Sequence, residues 1–241
     1  MNNVLKVTMM LCIITLVPTW ALTDSRAQEA TAASTTSTAE IIDVSQRNLN
    51  RTERLSRNSA VKIVLPDGGH GSGTYIKVDQ QYGVLTALHV VRGAEVVFVQ
   101  TSANEMVPAS VVYRHESLDF AVLRIPKLET REAVRYRTTK LEDLLGRQGV
   151  YTGYPSSYSL LTIRGTVAGV EPQTIIMQSF GWFGVSGSGV FDEDGKLIGV
   201  VSGISAERGP FGPELLETLI HVAPISSVGI EIISGALTAT R

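Results

Sequence analysis

The stretch 181–195, GWFGVSGSGVFDEDG, decides how the chain is read. It holds two serines, Ser186 and Ser188, set among glycines that permit sharp turns and close backbone approach. The continuation, GVFDEDGKLIGVV (189–201), reads as strand, turn, strand, with DEDG as the hairpin signal. That excludes the nucleophile elbow of the α/β-hydrolases. The elbow needs glycine two places after its serine, where Ser186 is followed by Ser188, and it needs a helix next. On this stretch alone, 181–195 is either a nucleophile turn or a flexible glycine-serine loop. The rest of the chain has to supply a base and an orienting acid.

Working outward, short apolar runs punctuated by turn residues dominate. VKIVL, GTYIKV, GVLTA, EVVFVQ, VPASVVY and FAVLRI form one group; GVYTGY, LLTIRGTVAGV, QTIIMQS, SGVF, KLIGVVSG and LIHVAP form a second. Between them lies the charged PKLETREAVRYRTTKLEDLLGRQ. Six strands on each side of a polar connection predict an all-β chain of two six-stranded antiparallel β-barrels, one over about 58–128 and the other over about 145–225. ISSVGIEIISGAL has helical spacing and predicts a short C-terminal helix.

Before the barrels, the apolar run Val7–Thr23 follows Lys6 and precedes small residues, so 1–27 reads as an export signal, with an uncleaved anchor as the other form. Seventeen residues with Pro18 inside is short for a membrane-spanning helix. Residues 28–57 read as a flexible linker or arm: QEATAASTTSTAE is too polar to bury, and the segment after it is either a short helix or extended. Cys12 is the sole cysteine, so a chain processed after 27 has no disulfide and rests on packing. Net charge is −2 and only 18% of residues are charged, which argues against a nucleic-acid partner.

Two further residues stand out. His89 follows an apolar run in GVLTALHVV, and Asp119 opens one in SLDFAVLRI, where a carboxylate is costly to bury unless it has a partner. A serine hydroxyl needs a base to take its proton. The base needs a fixed tautomer and a counter-charge. The oxyanion that forms needs backbone N–H donors. His89, Asp119 and Ser186, with its glycines, are the residue types for each role.

The set GSGTYI, VLTALHVV, LDFAVLRI and GVSGSGVFDEDGKLIGVVSG, over about 60–225, resembles the trypsin-like serine protease superfamily, nearest in pattern to bacterial HtrA/DegP-like and glutamyl-endopeptidase-like members. The resemblance implies Ser186 as nucleophile, His89 as base, Asp119 as its orienting acid, and the backbone N–H groups of Gly184 and Ser186 as an oxyanion hole. Ser188 takes a position often held by glycine, and Gly189 one usually held by proline, which implies a looser turn. Val185 stands where animal zymogens carry an aspartate, so no activation by N-terminal insertion is expected. Phe180, Val201, Ser202, Gly203 and His221 are the expected substrate-pocket residues, favouring a small to medium apolar side chain; His221 admits glutamate specificity as a minor reading.

DGGHGSG (67–73) lacks the Gly-Lys-Ser/Thr ending of a phosphate loop and precedes a strand, and His70 and His115 lack partners at metal-ligand spacing. No metal and no cofactor is expected. The implied protein is an exported bacterial serine endopeptidase, periplasmic or secreted, without a PDZ domain in this chain, acting on protein or peptide substrates. It meets a membrane only if the N-terminal segment is retained. The alternative is a catalytically silent binding protein on the same fold.

Overall fold

The nine residues of HGSGTYIKV alternate along their length, and the alternation builds the first barrel. The computed structural model of the chain describes residues 46–101, 105–209 and 212–239. Strand β2 (His70–Val78) turns Gly71, Gly73 and Tyr75 to one side and His70, Ser72 and Thr74 to the other, as a period of two requires. Tyr75 lies in the barrel core, stacked on Tyr82, and its hydroxyl accepts the Leu128 N–H at 2.9 Å. Gly71 and Gly73 leave room there. A Cβ on Gly73 would fall 2.5 Å from Val84 Cγ1.

Strands β1 (Ala60–Val64), β3 (Gln81–Ala87), β4 (Val96–Gln100), β5 (Met106–His115) and β6 (Phe120–Arg124) complete this barrel in the order β1-β4-β5-β6-β3-β2, with β1 pairing β2 to close it. A two-residue strand, β7 (Val134–Arg135), adds in parallel to β2 on the outside. The second barrel is closed in the order β10-β13-β12-β11-β8-β9, from β8 (Gln148–Gly153), β9 (Leu161–Glu171), β10 (Thr174–Ser179), β11 (Gly189–Asp192), β12 (Leu197–Gly209) and β13 (Gly212–Pro224). The two six-stranded barrels expected from the sequence are therefore present. So is the C-terminal helix, α2 (Ile230–Thr238), which buries Ile233 and Leu237 in the apolar seam between the barrels, beside Phe120, Phe191 and Ile225. The β12–β13 pair runs on past the barrel wall to Gly209↔Gly212, a longer hairpin than the two short runs in the sequence indicate.

The expected export segment, 1–27, and residues 28–45 of the expected arm lie outside the described residues. The arm's last stretch is not extended. Residues Arg51–Ser59 form helix α1, closed at its start by a capping box: Asn50 Oδ1 accepts the Glu53 N–H at 2.9 Å, and Glu53 Oε2 accepts the Asn50 N–H at 2.7 Å. The helix buries polar residues and fastens them by hydrogen bonds. Ser56 Oγ donates to Thr152 Oγ1 at 2.9 Å, Thr52 Oγ1 donates to Glu193 O at 3.2 Å, and buried Glu53 pairs with Arg164 of β9. Packed structure thus begins ahead of residue 58.

Candidate active site

His89 and Asp119 sit on two short turns of the first barrel. Strand β3 ends at Ala87 and passes into a single 3-10 turn, Leu88–Val91, which buries Leu88, Val90 and Val91 and leaves His89 facing out. Gly71 makes this possible, because a Cβ there would fall 2.5 Å from Val90 Cγ1. Asp119 ends the 3-10 turn Glu116–Leu118 with φ 50, a left-handed conformation that Asp tolerates better than most residues, and its carbonyl accepts the Leu88 N–H at 3.1 Å. The two turns are thereby joined through the backbone.

The side chains are joined twice more. Asp119 Oδ1 accepts the His89 backbone N–H at 2.8 Å, and Oδ2 lies 2.7 Å from the ring Nδ1. Ser202 Oγ, from β12 of the other barrel, donates to Oδ2 at 2.9 Å. Partial burial pushes the Asp119 carboxyl up. The bonds from the His89 ring and backbone, the ring's charge and the Ser202 hydroxyl outweigh it, so the group lies below its ordinary value. A carboxylate only accepts, so Nδ1 carries the proton and Nε2 of the neutral ring presents a lone pair.

The turn Phe183–Gly189 carries Ser186, and the outward face of β2 grips it. Ser72 N–H donates to Ser186 O at 2.8 Å, Ser72 Oγ donates to Gly184 O at 2.7 Å, and Thr74 Oγ1 accepts the Gly189 N–H at 2.7 Å. From the second barrel, the Gly187 N–H donates to Val201 O at 2.7 Å and the Val201 N–H donates to Ser188 O at 2.8 Å. Gly187 has φ +89, and a Cβ on it would stand 2.1 Å from Ser72 O and 2.2 Å from Thr86 Oγ1, so only glycine fits. Among the described residues the N–H groups of Gly184 and Ser186 donate to no protein acceptor, and the Ser186 hydroxyl makes no hydrogen bond.

A family model described as the trypsin-like peptidase domain matches residues 71–200, more than half of the chain. The chain belongs to the trypsin-like peptidase family. Serine-type endopeptidase, the enzyme class expected from the sequence, is the class that membership supports. Among solved structures it is similar to the serine endoprotease from Yersinia pestis, at 19% identity and a TM-score of 0.62, over 77% of this chain and 65% of that one. The HtrA-type protease AlgW with tripeptide matches at 16% and 0.62, over 78% and 62%. The Rv3671c protease from M. tuberculosis H37Rv, a Ser343Ala mutant in an inactive form, matches at 21% and 0.59, over 80% and 94%. At these identities the likeness is one of fold. The chain spans less than two thirds of the length of the first two. Among curated proteins there is no significant match.

In this trypsin-like peptidase the two departures around the serine have local reasons. Val185 is buried in the core of the second barrel beside Tyr151 and Val190. Gly189 does not loosen the turn: its N–H is spent on Thr74, and a Cβ there would fall 2.3 Å from Thr74 Oγ1, so proline would lose a bond and meet a wall. Ser188 is fully buried and, among the described residues, its hydroxyl has no hydrogen-bond partner.

The residues expected at the substrate pocket have these surroundings. The Val201 side chain is buried in the barrel core, and Ser202 Oγ is engaged with Asp119. The β12 pairing shifts register between Val201 and Gly203. Phe180 is half exposed and its carbonyl accepts the Tyr151 hydroxyl. Gly203 pairs with His221 across β12–β13, and His221 Nε2 lies 2.8 Å from Ser205 Oγ. The residues that sequence reasoning passed over are Ser72, Thr74 and Thr86. Hydroxyls at 72 and 74 share one strand face, and that spacing was the available signal.

Proposed function

We propose that the protein is an exported serine endopeptidase in which Ser186 is the nucleophile, His89 the general base and then acid, and Asp119 the group that orients and charges His89. The observation that carries this reading is the two-point hold of Asp119 on His89, through the ring at 2.7 Å and the backbone N–H at 2.8 Å. It fixes the ring's rotation as well as its tautomer, leaving Nε2 as the proton acceptor.

His89 Nε2 takes the Ser186 proton as Oγ attacks the peptide carbonyl. The imidazolium formed faces the Asp119 carboxylate, and the oxyanion is met by the N–H groups of Gly184 and Ser186. His89 then protonates the leaving amine, and a water activated by the same ring releases the acyl group. The Ser186–His89 hydrogen bond forms on substrate binding, since such contacts tighten in the Michaelis complex.

Ser186→Ala and His89→Ala should each lower cleavage of an unfolded protein substrate by about 10⁴-fold or more. Full cleavage by Ser186→Ala with a dead Ser188→Ala would move the nucleophile two residues along. Export rests on the apolar run Val7–Thr23, and among the described residues no helix is long and apolar enough to cross a membrane. Determining the N-terminal residue of the protein from the extracytoplasmic fraction tests it. A start shortly after 27 fits removal of a signal, and recovery only in the cytoplasm contradicts export.

A further inference from the structure

His70 heads the same β2 face as Ser72 and Thr74, and the motif that contains it, DGGHGSG, takes no part in the acyl-transfer steps. Its Nε2 lies 3.1 Å from the carbonyl oxygen of Tyr154 and 2.9 Å from the point a Cβ on Gly184 would occupy. A carbonyl only accepts, so Nε2 is the protonated nitrogen. Tyr154 is buried and opens the loop between β8 and β9. Two residues on, Ser156 has φ 50, a strained conformation for a residue that is not glycine. From it the Ser156 N–H donates to Phe183 O at 2.8 Å. A trans peptide points its C=O and N–H in opposite directions. The bond to Phe183 O therefore turns the Gly184 N–H away from Ser156 and leaves it free to donate.

We propose that His70 is a positioning residue: by holding Tyr154 O it seats the loop so that Ser156 N–H fixes the Phe183–Gly184 peptide with the Gly184 N–H presented to the oxyanion. The proposal rests on the reading of Gly184 as an oxyanion donor. It supplies a means of orienting that peptide in a chain whose Val185 can form no ion pair with a new N-terminus.

The test uses the purified full chain and the pair His70→Gln and His70→Met, of similar volume, with and without an amide N–H donor. Steady-state kinetics on a peptide substrate and the rate of inactivation by a fluorophosphonate are measured for each. His70→Met should lower kcat about 10- to 100-fold with KM within about twofold, and slow inactivation by a similar factor; His70→Gln should recover most of both. Equal rates in His70→Met and the parent, or equal loss in both variants, overturns the positioning role while leaving the peptidase reading intact. A parent that the fluorophosphonate does not label defeats both.

Discussion

The base and the nucleophile stand on opposite barrels and are held by different means. On the first barrel, His89 and Asp119 occupy turn tips that are partly open to solvent, and charge and directed hydrogen bonds align them. On the second, the turn Phe183–Gly189 contains no charged side chain. Hydroxyls from Ser72 and Thr74, together with contacts that admit only glycine, shape it. A hydrogen-bonded pair on exposed turns can be altered without disturbing the surrounding packing. A turn fixed by excluded volume cannot. The two halves should therefore fail differently: the first by losing rate while staying folded, the second by losing stability.

The largest expected effect is on the first half. Asp119→Asn should lower kcat about 10⁴-fold, because Asn can favour the wrong ring tautomer, and the protein should remain folded at neutral pH. Its pH dependence sharpens the point. The Asp119 carboxyl lies below its ordinary value in the folded chain, so its stabilising contribution is present above about pH 4, the unfolded value, and is lost as pH falls through the folded one. Denaturation curves should show the gap between parent and Asp119→Asn narrowing below about pH 4. A constant gap down to about pH 2 would remove the carboxylate from the stability account.

Next in size is Gly187→Ala. A Cβ 2.1 Å from Ser72 O, on a backbone at φ +89, should cost about 3 kcal/mol or more in chemical denaturation. A variant as stable as the parent would show that the turn yields, and the contrast between the halves would collapse. Thr74→Val should cost about 1–3 kcal/mol, since the Gly189 N–H is left buried without its acceptor. The smallest effect, and of opposite sign, belongs to Ser188→Ala. Removing a buried hydroxyl that has no partner among the described residues should leave kcat unchanged and stabilise the fold by up to about 1 kcal/mol.

The same contrast explains what could be read from the sequence. Strands were legible because apolar runs and turn residues follow the period of the sheet, and His89 and Asp119 because polar residues at the ends of apolar strands stand out. Ser186 was legible only through its glycine pattern. The hydroxyls that hold its turn were not, because Ser72 and Thr74 in a glycine-rich segment read as loop composition, and their partners are more than a hundred residues away. Helix α1 is not legible as a helix rather than an arm because it buries Thr52, Glu53, Ser56 and Ser59, a polar face satisfied by hydrogen bonds that no apolar periodicity announces. The bond from Ser202 to Asp119 was equally hidden, because a shift in β12 register cannot be counted from a run of small residues.

If His89, Asp119 and Ser186 form one working unit across the two barrels, Ser186 must be open to covalent capture. Intact-mass measurement after exposure to a fluorophosphonate, on the chain from about Gln28 and on Ser186→Ala, reads this directly. One adduct on the parent and none on Ser186→Ala is the predicted result. A folded parent that gains no adduct, or a Ser186→Ala chain that gains the same one, would contradict it.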